Sequence, residues 1–160
     1  MAVVVRGLRP SETRTFLGIH HAAIRVTAAA DYPAEVIEAW APLPITDDLV
    51  ERVLTNAGNE IRLAAVSSDE IVGIGVVIPR RQELRACYVS PKAARTGVGT
   101  AIVEEIERIA RAHQVPFLEL DSSLTAEMFY LRLGYRVLER GQHLLGSRVP
   151  MACVKMRKDL

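Results

Sequence analysis

The thirty-residue run from Glu83 to Ala112, ELRACYVSPKAARTGVGTAIVEEIERIARA, restricts what this chain can fold into more than any other stretch. It begins as an extended segment, crosses Ser90-Pro91, passes through Arg95-Thr96-Gly97-Val98-Gly99 and becomes strongly helical. From Val98 onward the residues Val98, Ile102, Ile106, Ile109 and Ala110 recur at steps that keep one helical face apolar, while Glu104, Glu105, Glu107, Arg108 and Arg111 fall off that stripe. A strand, a loop of phosphate size and an amphipathic helix therefore follow one another.

Glycines at 97 and 99 permit a tight turn and leave backbone N–H groups uncovered by any Cβ. Those groups lie at the positive end of the following helix, where an anion such as a pyrophosphate is stabilised, with Arg95 beside it. A Gly-x-Gly pair can also be an ordinary strand-to-helix turn. Two better-known nucleotide loops fit poorly. A dinucleotide fingerprint needs a third glycine where Ile102 stands, and a P-loop needs a lysine where Thr100 follows Gly99.

A chain of 160 residues predicts one domain over 1–160 with a sizeable core. Its 49% hydrophobic and 24% charged residues are ordinary for a globular protein, and a net charge of +1 gives no electrostatic case for nucleic acid or an anionic membrane. Cys87 and Cys153 form neither a metal-ligand spacing nor a disulfide framework, which makes a reducing cytoplasm the expectation. No signal-peptide pattern or apolar run of bilayer length is present, so no membrane role is expected and no metal is implied.

Taken in order, Val3 to Val5 predict a strand, and residues 12 to 28 a helix whose inner stripe is Phe16, Ile19, His20, Ala23 and Val26 or Thr27. Pro33, at a first helical position, opens a second helix through Trp40, and Thr46 caps a third that Asn56-Ala57-Gly58 closes. Two β-rich runs, Ile61 to Val66 and Ile71 to Ile78, flank Ser67-Ser68-Asp69-Glu70 as a hairpin, and the strand Glu83 to Val89 completes a meander. After the long helix come a strand from Pro116 to Leu120, a helix from Leu124 to Leu133 capped by Asp121-Ser122-Ser123, and closing strands Tyr135 to Glu139 and Val149 to Met156. The loop between those last two strands runs through Gly141 and Gly146.

Val89-Ser90-Pro91 followed by Gly97-Val98-Gly99 resembles the acyl-CoA pyrophosphate loop of the GNAT acetyltransferases, with one departure: the family's Arg/Gln position falls on Ala94, and the arginine is displaced to Arg95. A second block, from Ser123 through Ala126, Phe129 and Tyr130 to Gly134 and Tyr135, is similar to the family's Asn-x-x-Ala-x-x-Phe-Tyr-x-x-x-Gly-Phe. Ser123 replaces the asparagine and Tyr135 the phenylalanine. The segments His20 to Ile24 and Ile37 to Trp40 resemble a bacterial subgroup of predicted acetyltransferases. The resemblance implies a mixed α/β fold, with a mostly antiparallel sheet of six to seven strands flanked by about four helices.

It also implies a cosubstrate, acetyl-CoA, and an amine-bearing acceptor, and it allows a homodimer. Cys87, Tyr88 and Val89 would bond the pantetheine arm as an added strand if a bulge parts this strand from its neighbour; Ala94, Arg95, Thr96, Gly97, Val98, Gly99 and Thr100 would hold the pyrophosphate. Ser123, Ala126, Phe129 and Tyr130 would line the cofactor. Tyr130 is the candidate acid for the departing thiolate, since a phenol of ordinary pKa about 10 matches a thiol in basicity; the alternative is a hydroxyl that merely orders cofactor or water. A primary ammonium, of pKa about 10.4, must lose a proton before it attacks. Glu83 is the first candidate base, at the offset before Cys87 that the histone-acetyltransferase branch uses; strand alternation puts Glu83, Arg85 and Cys87 on one face. A glutamate paired with Arg85 is the competing reading.

His143, in the closing loop, is a second candidate base, whereas His20 is expected to be packed and His113 to complement the helix dipole. His21, Tyr32 and Trp40 are candidates for an acceptor pocket, with Trp40 also readable as plain core, and Cys87 reads as a packed thiol rather than a nucleophile. Two classes of function stand against each other. One is an N-acetyltransferase in which the amine attacks directly in a ternary complex; the other is a catalytically silent acyl-CoA-binding sensor or interaction module.

Overall fold

A computed structural model describes residues 2–160. One mixed sheet of seven strands organises it, in the order β1-β2-β3-β4-β5-β7-β6: β1 (Val4–Gly7), β2 (Ile61–Ser67), β3 (Glu70–Ile78), β4 (Glu83–Val89), β5 (Phe117–Ser123), β6 (Arg136–Leu144) and β7 (Pro150–Asp159). Every neighbouring pair is antiparallel except β4 with β5. The five α-helices are α1 (Thr13–Ala22), α2 (Ala34–Trp40), α3 (Asp47–Thr55), α4 (Val98–Ala112) and α5 (Glu127–Arg132). This is the expected α/β architecture, and none of its helices is long and apolar enough to cross a membrane among the described residues.

The sheet separates two packing regions. On one face Val98, Ile102 and Ile106 of α4 and Tyr130 of α5 pack on Leu63, Val77 and Leu118. On the other, Phe16, Leu17 and Ile19 of α1 cover Ile74 and Val76, with α3 contributing Leu49, Val50 and Val53. Helix α4 can lie so low on β3 because β3 carries Gly73 and Gly75 beneath it. A Cβ at position 75 would sit 2.5 Å from Ile102 Cγ2, and one at position 73 would sit 2.8 Å from both Ile102 Cδ1 and Val98 Cγ1.

Several sequence expectations shift for physical reasons. The first helix passes from α into a π turn at Ala23–Thr27, and the added residue rotates the stripe: Ile24 is fully buried while Val26 is exposed. Pro33 caps α2 from outside rather than opening its first turn. Helix α5 starts at Glu127, not Leu124, because β5 continues through Ser123 before the turn. The supposed loop through Gly141 belongs to β6, which runs to Leu144 against β7; its mostly exposed, polar sequence lacks the alternation that announces a strand. Thr46 does cap α3, accepting from the Leu49 N–H at 3.2 Å, and Asn56 ends it in a left-handed conformation.

Glu107 is the clearest reversal. Its position off the apolar stripe of α4 predicts exposure, yet it is 6% exposed. Lys158 Nζ donates to both of its oxygens at 2.9 and 3.1 Å, and the Tyr135 hydroxyl donates at 3.2 Å. A carboxylate this enclosed is tolerable only with such partners, and they arrive from the far end of the chain.

The α4–β3 contact gives a direct test. Gly75→Ala forces Ile102 aside or lifts α4, and overpacking of this kind costs about 1–3 kcal/mol. Urea unfolding of the variant is expected to show that loss, whereas Gly7→Ala, with open space around the added methyl, is expected to show far less from packing.

Candidate functional site

Strands β4 and β5 pair only at their start, at Glu83↔Glu119, where the Glu119 N–H also donates to the Gln82 carbonyl at 2.8 Å. Past that point the ladder has no further rungs. The cause lies on the other side of β4, where the register with β3 shifts: Val76 opposes Ala86, but Val77 opposes Leu84. The extra residue in β4 is a bulge, which bends the strand away from β5 as the sequence reading required. Cys87, Tyr88 and Val89 are thus bonded to β3 on one side and have no strand on the other, so an extended ligand can lie along their free edge.

The bulge overturns one expectation. Leu84 and Cys87, three residues apart, both pack toward α4, while Ala86 and Tyr88 pack toward α1. Glu83 therefore projects to the face opposite Cys87 instead of sharing it. Its carboxylate accepts from Arg85 Nη1 at 3.1 Å and lies 3.7 Å from Arg81, and Glu60 approaches Arg85 at 3.9 Å. Glu83 stands at the closed end of the opening between the strands, inside this charge cluster.

A cavity of about 340 Å³ occupies that opening. Its walls bring together Glu83, Cys87 and Tyr88 of β4, Ser123 at the end of β5, and Ala126 and Tyr130. Tyr130 is 5% exposed, and burial first, then neighbouring ionisable groups, raise its phenol well above the ordinary value of 10.0, so it stays protonated at neutral pH. Burial alone pushes the Cys87 thiol up to about 12, which keeps it in its non-nucleophilic form. Ser123 accepts at Oγ from the Ala126 N–H at 3.1 Å, holding the turn into α5.

The glycine loop joins this cavity at the end of β4. Gly97 takes φ +88, a left-handed conformation suited to glycine, and α4 begins directly after it without a side-chain cap. The N–H groups of Val98, Gly99 and Thr100 have no helical partner of their own, because the first intrahelical bond runs from Ala101 to the Gly97 carbonyl at 3.1 Å. Thr96 donates its hydroxyl to the Ala93 carbonyl at 2.6 Å, and Ala94, Arg95 and Thr96 are all exposed. Phe129 of α5 presses on Gly99: a Cβ there would meet its ring at 3.0 Å. Cys87 Sγ also faces the Gly99 carbonyl at 3.8 Å. Two motifs separate in sequence are one assembly in space.

Histidines and aromatics complete the cavity from the helical side. His20 and Trp40 line it, with Tyr88 between them; the ring centroids lie 4.7 Å (His20–Tyr88) and 6.3 Å (Trp40–Tyr88) apart. His20 is therefore part of a cavity wall and not merely packed. Burial, and then His21, hold its imidazole down to about 3. His21 contacts the Pro42 carbonyl through Nε2 at 3.1 Å and does not reach the cavity. Tyr32 acts as a tether: its hydroxyl donates to the Ala152 carbonyl at 2.6 Å and accepts from the Leu124 N–H at 2.8 Å.

His143 stands on β6, not in a loop, with Nδ1 at 3.5 Å from Asp121 and both side chains part-exposed at the cavity mouth. Asp121, Glu60 and Phe16 are lining residues that sequence reasoning missed; only the packing of α1, the turn before β2 and β5 brings them here. Among the described residues no cluster of three or more His, Cys, Asp or Glu could hold a metal ion.

The His20 environment carries a pH consequence. Burial disfavours its protonated form, so its contribution to stability is present above pH 6.5 and is lost as pH falls toward 3. Urea midpoints are expected to decline through that window, less so in His20→Gln. NMR titration of the ring near 6.5 would contradict this.

Comparison with known proteins places this geometry. The family model described as acetyltransferase (GNAT) domain matches residues 28–160. The uncharacterized N-acetyltransferase YafP of Escherichia coli is 22% identical over 138 residues, covering 86% of this chain and 84% of its own. The crystal structure of a GCN5-related N-acetyltransferase from Rhodopseudomonas palustris, whose description also reads aminotransferase class-II, superposes with a TM-score of 0.89 at 25% identity, over 100% of this chain and 97% of its own. The PaiA N-acetyltransferase of Thermoplasma acidophilum, solved with coenzyme A, superposes with a TM-score of 0.76 at 17% identity over 100% of both chains. With its family model matched across most of its length, its sheet parted at β4 and β5 and its glycine loop opening α4, the chain belongs to the GNAT acetyltransferase family.

Proposed function

We propose that residues 1–160 act as a single domain that transfers the acetyl group of acetyl-CoA to a primary amine of a small molecule or peptide, the amine attacking directly while both substrates are bound. The parting of β4 from β5 carries this reading, because it leaves a free strand edge that leads from the glycine loop into the cavity holding Tyr130. The unpartnered amides at the start of α4 would hold the pyrophosphate, helped by the helix dipole and by exposed Arg95. Acetyl-CoA supplies the activated acyl group.

The residues of the chain divide the remaining work. The free backbone edge at Cys87 to Val89 aligns the donor and offers N–H groups toward developing negative charge. Tyr130, protonated and buried, delivers or shares a proton with the departing sulfur. Glu83 receives the proton of the ammonium, directly or through water, from its place at the closed end of the opening. A cysteine relay is disfavoured by the thiol's upward shift to about 12.

Two measurements test this. Calorimetry is expected to detect acetyl-CoA binding by both wild type and Tyr130→Phe. In an acetylation assay over a panel of amines, Tyr130→Phe is expected to lower kcat by about 10²-fold, the low end of the range for general acid catalysis, with little change in acetyl-CoA affinity. Binding without consumption of any amine would instead favour the silent acyl-CoA-binding module.

A further inference from the structure

The acceptor side of the cavity has a chemistry of its own, separate from the loop and the free strand edge. Phe16 and His20 of α1, Trp40 of α2 and Tyr88 of β4 form an aromatic wall on the face of the sheet away from α4. Trp40 and Tyr88 are only half-buried, and Tyr32 braces Trp40 edge-on at 5.6 Å from behind. Burial keeps His20 uncharged, so the wall presents ring surface without a fixed positive charge.

The charged groups in the lining are largely committed to one another. Glu60 is held by Arg62 at 2.9 Å and Glu83 by Arg85 at 3.1 Å, with Arg81 at 3.7 Å. Arg85, the single Lys or Arg of the lining among the described residues, faces Glu83 at 3.1 Å and Glu60 at 3.9 Å, so its one positive charge is outweighed by the carboxylates around it before any substrate carboxylate arrives. Asp121 faces His143 at 3.5 Å and is the least committed acid. Beside Glu83, which takes the proton of the reacting ammonium, Asp121 is the one loosely held acid of the lining, fewer than the several cations of a polyamine would need.

We infer that the acceptor is a primary monoamine carried on an aromatic or bulky apolar body and lacking a carboxylate, with its body against Trp40 and Tyr88. This rests on the transferase reading above and names its substrate class. The aromatic rings then select the body of the acceptor, the excess of carboxylates over arginine in the lining disfavours amino acids, and the single loosely held acid disfavours polyamines. Trp40 is the specificity-determining position.

The test uses the full chain with 2-phenylethylamine, ethylamine, phenylalanine and spermidine as probes. With acetyl-CoA present, kcat/KM for 2-phenylethylamine is expected to exceed that of each other probe at least tenfold. Trp40 is the chain's one tryptophan, so its fluorescence reports occupancy without turnover. A saturable change is expected with 2-phenylethylamine in the presence of CoA, and none at the same concentration of ethylamine. Trp40→Ala is expected to raise KM for 2-phenylethylamine tenfold or more, leaving KM for acetyl-CoA within twofold, and Trp40→Phe to restore most of the loss. Preference for spermidine, ethylamine or phenylalanine, or an unchanged KM in Trp40→Ala, overturns the inference while leaving the transferase intact. If acetyl-CoA binds and no amine is consumed, both readings fall together. The wild-type ranking decides the matter even if Trp40→Ala does not fold.

Discussion

One missing stretch of β-ladder governs the molecule. Sheets lose stability where a strand edge is left bare, and natural proteins cover or pair such edges. Here the bare edge lies in the middle of the sheet, between β4 and β5, and is tolerated because both strands stay anchored on their other sides, β4 to β3 and β5 to β7. The anchoring is strong where it must be. Helix α4 rests directly on the glycines of β3, so the strand that backs β4 is held from the opposite face as well. The gap is thus a rigid slot rather than a frayed seam.

Much of this was readable from the chain, and what was not has a common cause. The Val-Ser-Pro and Gly-Val-Gly signals named the loop, and the block from Ala126 to Tyr135 named the helix that meets it, because local backbone demands leave local marks. Facing was lost wherever one residue was inserted into a regular element. The bulge in β4 moved Glu83 away from Cys87, and the π turn exchanged Val26 for Ile24, since a period-based reading presumes an unbroken period. Glu107 was misplaced for another reason: the closest donors that justify its burial, the Tyr135 hydroxyl and the Lys158 ammonium, lie in no window around the helix.

The two halves of the site differ in the same way. Groups on the side of the glycine loop come from contiguous motifs, and the reading from sequence found them together. Those on the acceptor side are assembled piecemeal from α1, α2, the turn before β2, β5 and β6, so Glu60, Asp121 and Phe16 gave no signal. The N-terminal helices are not an accessory to the sheet. Through the Tyr32 hydroxyl they are bonded to both β7 and the start of the α5 turn, which fixes the aromatic wall relative to Tyr130.

The pressure of the Phe129 ring on Gly99 has a historical corollary. A side chain acquired at position 99 would have to push that ring aside by a few tenths of an ångström, and a wider ring at 129 would leave still less room. Each position sets the other's admissible alphabet across thirty residues of chain. Descendants of this protein would therefore be expected to change at either site at a cost set by the residue standing at the other.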